Sequence, residues 1–177
     1  LRVVGELEEK YADFPGLILT FENRVGILKH CYGRNAAELG ELGERFLKKQ
    51  QPSLEAQLTN LADEIAYNSH DVDDGLRAEL IRIEQLNEVP LFCMQYQEVK
   101  QRYPDLSQRR TIHEGVRRLI NFQAVDLVKT SNQRLKQVCP ADLEAVRRQP
   151  QALIAFSDSM RELNHELKRF LRTHLYR

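Results

Sequence analysis

Asp63, Tyr67, His70, Asp71 and Asp74, in the stretch LADEIAYNSHDVDD, recur at a spacing that gathers side chains on one side of an α-helix, within roughly 100° of one another. Leu54, Leu58, Leu61, Ile65, Val72 and Leu76 fall on the opposite side and form an apolar stripe able to seat such a helix in a core. A row of carboxylates with a tyrosine among them, held rigidly from behind, offers hard oxygen ligands to a divalent cation. The same pattern also describes a solvated acidic face. Periodicity by itself leaves both open.

Other residues with chemical potential are fewer. Arg109-Arg110 and Arg117-Arg118, with His113 between them, can grip phosphate through charge-assisted hydrogen bonds, or half of each pair can point to solvent. Arg109 and Arg110 head a long helical pattern, where cations oppose the helix dipole unless an anion is close, and this makes them the better phosphate candidates. Glu162 and His165 form an E-x-x-H, but a di-iron bundle needs a second copy and two more inward glutamates, so a surface Glu–His pair is the expectation. P-loop, dinucleotide-binding and nucleophile-elbow motifs do not occur.

The elements that must position these residues read as helices throughout. Tyr11 to Gly16 breaks a first amphipathic stretch, and Gly16 to Thr20 leads into a second helix ending near Tyr32. Gly33, Gly40, Gly43 and Pro52 bound a polar insertion whose inner part, Ala36 to Lys49, can be helical. Ser53 is the expected N-cap of the carboxylate helix, with its stop near Asp74-Gly75. A short helix through Leu86 follows, then one from Val89 to Arg102. A long helix from about Ser107 to Val138 would use Ile112, Val116, Leu119, Ile120, Phe122, Val125 and Leu127 as its core side. Pro140 opens a short helix at its first turn, and Pro150 separates it from a terminal helix over Ala152–Tyr176. No stretch alternates with period two, so the fold class is all-α.

Composition agrees. The 177 residues are 42% hydrophobic, enough for one good core with a satellite lobe, and no apolar run approaches the ~20 residues that span a bilayer. Cys31, Cys93 and Cys139 lack metal-type spacing and are expected to be reduced thiols. Net charge is zero but uneven: residues 1–100 carry 11 Lys/Arg against 18 Asp/Glu, residues 101–177 carry 15 against 8. The −7 and +7 halves can attract each other when packed, or set cations beside a carboxylate-bound metal and a phosphorylated substrate.

The run SLEAQLTNLADEIAYNSHDVDDGLRAEL closely resembles the last metal-ligand helix of the HD-domain deoxynucleoside triphosphate triphosphohydrolases, the dGTPase-like family. Phe14 to His30, FPGLILTFENRVGILKH, is similar to the segment that precedes it there. TIHEGVRRLINFQAVDLV and LIAFSDSMRELNHELKRFLRTHLYR match in order and spacing, leaving only about Gly33 to Pro52 divergent. In that family a first His, a His-Asp doublet and a distant final Asp hold the metal, and Asp63 matches the final Asp. The doublet His70-Asp71 lies within two turns of Asp63 on the same helix and is not the family's pair. The resemblance therefore implies the C-terminal portion of a longer enzyme, an irregular helical bundle of HD type. Residues 1–80 would complete a catalytic core, with a flexible insertion at about 33–52, and residues 81–177 would form an HD-associated helical region.

By the same resemblance, the intact enzyme would hydrolyse a deoxynucleoside triphosphate to deoxynucleoside and tripolyphosphate. A divalent ion, Mg²⁺ or Mn²⁺, would polarise the α-phosphate and activate water, with Asp63 as a direct ligand; the 177 residues alone would hold no metal. Tyr67 would pack against the deoxyribose and disfavour a 2′-hydroxyl, Asp71 would accept a hydrogen bond from the 3′-hydroxyl, and Arg109, Arg110 and His113 would meet phosphate. Ile18, where the family has a polar residue, and Val25, where it has an acid, depart from the pattern. Homo-oligomerisation, a cytoplasmic setting and no membrane association are expected. A second reading is an assembly or regulatory module that binds nucleotide or single-stranded DNA, although Phe122, Phe156 and Phe170 space like core residues rather than a stacking platform.

Overall fold

The computed structural model describes residues 1–28 and 33–176, and every regular element among them is helical. A single π-type turn, Val3–Leu7, precedes α1 (Phe21–Ile27), α2 (Gly33–Glu38), a 3-10 turn at Gly40–Gly43 and α3 (Glu44–Leu47). Then come α4 (Leu54–Arg77), α5 (Ile83–Leu86), α6 (Pro90–Arg102), α7 (Gln108–Val138), α8 (Leu143–Arg147) and α9 (Asp158–Leu175). The all-α expectation holds. Tyr32 and Cys31, and with Cys31 the expected state of that thiol, lie outside the described residues. Cys93 and Cys139 are free thiols.

Local chemistry explains the boundaries. Thr20, Ser53, Asp142 and Ser157 each accept a hydrogen bond from a backbone N–H three residues on, satisfying a donor that the helix cannot. Pro90 opens α6 at a position where its missing N–H costs nothing. Pro140 instead precedes α8, which begins only after the Asp142 cap. The terminal helix starts at Asp158 rather than Ala152, because the intervening backbone donors go to side chains: Leu153 and Ile154 to Gln57 Oε1, Ala155 to Ser131 Oγ and Ser157 to Asp126 Oδ2. Gly75 does not end α4. It lies inside the helix, where a Cβ would meet Ile81 Cδ1 at 2.9 Å and Leu175 Cδ2 at 3.0 Å. The helix stops two residues later, and the chain turns through Glu79 at φ 57°.

Two compact units divide the chain. The first, residues 1–60 with 135–154, buries Val25, Ala36, Ala56, Val146, Leu153 and Ile154. Within it Arg147 pairs with Glu22 and Glu144, and Gln51 N donates to Arg147 O at 3.0 Å. Among the described residues, the largest essentially inaccessible side chains, including Phe92, Ile81, Leu119, Leu167 and Leu171, lie in the second unit, residues 61–134 with 155–177.

The long helix α7 corrects the sequence reading of its core side. Its buried line is Thr111, Gly115, Leu119, Gln123, Leu127 and Ser131, while Ile120, Phe122 and Val125 are exposed. Steps of four residues drift about 40° each around a helix of 3.6 residues per turn, so the buried line winds instead of keeping to one face. Four of its six residues are polar or glycine and carry no hydrophobic signal.

Candidate functional site

The carboxylate helix is seated as its apolar stripe requires, with one exception. Ile65 and Val72 are buried and Leu61 and Leu76 half-buried, but Leu58 is 48% exposed. The buried side extends into polar residues that the stripe did not include. Asn68 Nδ2 donates to Asn164 Oδ1 at 3.0 Å, and Asn164 Nδ2 donates to Glu64 Oε1 at 2.7 Å. Lys168 Nζ sits 2.9 Å from Glu64 Oε2. Asn164 is only 2% exposed, so this chain of bonds fixes α9 against α4 with its amide fully engaged.

On the other side of α4, Asp63, Tyr67, His70 and Asp74 are exposed and Asp71 is half-buried. Tyr67 lies one turn beyond Asp63, and Asp71 one turn beyond Tyr67. The structure ties the last two together through a residue that the sequence reading treated only as a helix end. Tyr176 Oη lies 2.8 Å from Asp71 Oδ2, to which it donates, and 3.1 Å from Tyr67 Oη. These hydrogen bonds, Tyr67's first and Asp71's next, push the Tyr176 hydroxyl well above the ordinary tyrosine range, because a phenolate there would face a carboxylate. Tyr176 stands 105 residues from Asp71, and no local pattern in the sequence marks it.

His113 takes a different neighbour. Its Nδ1 is 3.7 Å from Asp73 Oδ1, and Asp73 also receives Arg77. His113 and His70 border a 390 Å³ cleft between α4 and α7 whose wall includes Ala62, Ala66, Val116 and Ile120. Ser69 Oγ is buried at that cleft with no hydrogen-bond partner among the described residues. His113 also joins Arg110, Glu114 and Arg117 around a second cleft of 470 Å³.

The four arginines fall into two classes. Arg117 donates to both Glu114 oxygens, at 2.8 and 2.7 Å, and Arg118 bridges Glu114 and Glu98. The hydrogen bond from Arg117, followed by that from Arg118, holds the Glu114 carboxyl down to about 2. Arg109 and Arg110 are exposed in the first turn of α7, and neither forms an ion pair among the described residues.

As for a metal, no three His, Cys, Asp or Glu side chains among the described residues converge closely enough to hold an ion. Among the described residues, then, Asp63 makes no metal centre with its neighbours. Glu162 and His165 are both exposed. No helix among the described residues is long and apolar enough to cross a membrane.

No family model matches the chain. Over all 177 residues it is 57% identical to a protein of Bordetella pertussis named deoxyguanosinetriphosphate triphosphohydrolase-like protein, and the match takes up 46% of that protein. Proteins of the same name from Thiobacillus denitrificans and Ralstonia pickettii are 56% and 55% identical over 177 residues, which make up 47% and 45% of their lengths. The chain spans about half the length of the curated relatives it matches.

Proposed function

Because the chain belongs to the family of the deoxyguanosinetriphosphate triphosphohydrolase-like proteins, we propose that it is the C-terminal portion of a metal-dependent deoxynucleoside triphosphate triphosphohydrolase of the HD type. The reaction consumes one water and one deoxynucleoside triphosphate and releases deoxynucleoside and tripolyphosphate. Residues 1–80 complete the catalytic core and residues 81–177 support it.

The observation that most supports this reading is the ladder Asp63–Tyr67–Asp71. A sugar and its 5′-phosphates laid along one side of a helix meet side chains at intervals of one turn, as these three recur. Asp63 gives one hard oxygen ligand to a divalent ion such as Mg²⁺ or Mn²⁺, and residues outside these 177 supply the rest. Tyr67 sets an aromatic face against the deoxyribose and crowds the 2′ position. Asp71 accepts from the 3′-hydroxyl, a charge-assisted bond that an amide would weaken. Arg109, Arg110 and His113 meet the phosphates, for which Arg109 and Arg110 are available because no carboxylate among the described residues pairs with them.

Two measurements test the reading. The 177 residues alone turn over no deoxynucleoside triphosphate in a product assay with Mg²⁺ or Mn²⁺; metal-dependent turnover by the isolated chain would end the claim that ligands from outside it are required. In the full-length enzyme, Asp63→Ala abolishes turnover while the apo protein keeps its helicity.

A second reading gives the chain an assembly or single-stranded DNA role, and one observation favours it. Ile120, Phe122, Val125 and Val128 stand exposed along α7, so Phe122 is available for contact and is not a core residue. A salt-sensitive gel shift with a single-stranded oligonucleotide, lost in Phe122→Ala, supports nucleic-acid binding; a concentration-dependent mass by light scattering supports a homo-oligomer.

A further inference from the structure

The ladder leaves one physical question open. Tyr67 is 59% exposed and Asp71 half-buried, and without a further contact a phenol and a carboxylate so placed each sample several rotamers. Recognition of a sugar edge needs both groups in one geometry when the ligand arrives, since ordering them afterwards weakens binding. Something must hold them.

Tyr176 is the group that touches both. Its hydroxyl is 2.8 Å from Asp71 Oδ2 and 3.1 Å from Tyr67 Oη. Its own backbone is anchored, because Leu175, the last residue of α9, packs into the space left by Gly75 one turn beyond Asp71. We propose that Tyr176 is a positioning residue for the sugar-recognition pair, fixing the Tyr67 ring and turning the Asp71 carboxylate so that Oδ1 accepts the 3′-hydroxyl.

The division of labour on Asp71 follows from its acceptor capacity. A carboxylate has two oxygens and about four lone-pair directions, so a donor on Oδ2 orients the group without using up Oδ1. The Tyr176 hydroxyl stays protonated at any working pH, because losing its proton would set a phenolate against a carboxylate. It is therefore a permanent donor. This inference rests on the reading of Tyr67 and Asp71 as sugar contacts.

The test uses the full-length enzyme and the variants Tyr176→Phe, Asp71→Asn and the double variant, each assayed with dGTP and GTP. Tyr176→Phe keeps the ring and removes only the hydroxyl. It should raise KM for dGTP by about three- to tenfold, the effect of one lost hydrogen bond, with kcat nearly unchanged and the preference for dGTP over GTP reduced. Adding Tyr176→Phe to Asp71→Asn should cost much less than adding it to the wild type, because the two act through one contact. A uniform loss for both nucleotides together with a lower Tm would mean a structural role only and would overturn the proposal. A lower KM in Tyr176→Phe would overturn it differently, by making the hydroxyl a competitor of the sugar. The underlying reading fails separately: Asp71→Asn would then leave the dGTP-to-GTP preference unchanged by itself, whatever Tyr176→Phe does.

Discussion

Helix α4 carries polar residues on two sides, and the two sides are built for different ends. Toward α9, Glu64 and Asn68 are joined to Asn164 and Lys168, so each amide and carboxylate is answered by another side chain. Away from it, Asp63 and Tyr67 stand in solvent, with Asp71 half-buried beside them. A buried polar group without a partner is costly, whereas an exposed one has water and can exchange water for a ligand. Polarity alone does not separate scaffold from site. What separates them is burial: Glu64 and Asn68 are closed in against α9, whereas Asp63 and Tyr67 are open to solvent even where Tyr176 reaches Tyr67 and Asp71.

That contrast is broken most directly by changing one residue on each side. In the full-length enzyme, Asp63→Ala should reduce triphosphohydrolase activity below detection while leaving the thermal midpoint of the apo protein nearly where it was; retained turnover would remove the exposed side from the chemistry. On the buried side, Asn164→Ala should lower the stability of the 177-residue chain by about 2–3 kcal/mol, because it strands the buried Asn68 amide and removes a donor from the half-buried Glu64. Denaturant unfolding measures this, and a loss under about half a kcal/mol would mean that water replaces the amide.

Smaller effects sharpen the comparison. Asp71→Asn should weaken use of dGTP by about 1.5–3 kcal/mol at most through the lost charge-assisted acceptor, and Tyr67→Ala should relax discrimination against GTP. Unchanged dGTP-to-GTP ratios of kcat/KM in both variants would reject the ladder. Glu114 offers a pH test away from the ladder. Its carboxyl sits at about 2 in the folded chain and near 4.3 when unfolded, so its contribution is present above about pH 4 and lost as pH falls toward 2. The stability difference between the wild type and Glu114→Gln should therefore shrink across that window; a difference that grows on acidification would contradict the sign. Smallest of all, Leu58→Gln should change stability by no more than about 0.5 kcal/mol, because the side chain already stands in solvent.

The sequence made the helix and its ladder legible because both depend on short-range periodicity. Ile65 and Val72 announce the seated side, and Ser53 announces the start. It made the winding core line of α7 illegible, because Gly115, Gln123 and Ser131 are buried without being hydrophobic. The late start of α9 was hidden for a related reason: the acceptors that hold Ala152 to Ser157 out of the helix, Gln57, Ser131 and Asp126, are distant in the chain. Tyr176 belongs to this second class. A contact across 105 residues leaves no spacing to read, whereas Asp63, Tyr67 and Asp71 sit four residues apart. Periodicity leaves the ladder undecided between ligand and solvated face, and the roles proposed for it rest on the family resemblance.

Gly75 gives the ladder a tolerance that none of its members controls. The hydrogen in place of a methyl group at this position lets Leu175 come within contact distance of the α4 backbone, one turn past Asp71, and the next residue in the chain is Tyr176. A methyl group there acts as a shim. It favours the helix by about 1 kcal/mol in local propensity, yet it must push aside the side-chain ends of Ile81 and Leu175. The width of one methyl group on the hidden side of the helix thus lies a single residue away from the tyrosine that reaches Asp71 on the open one.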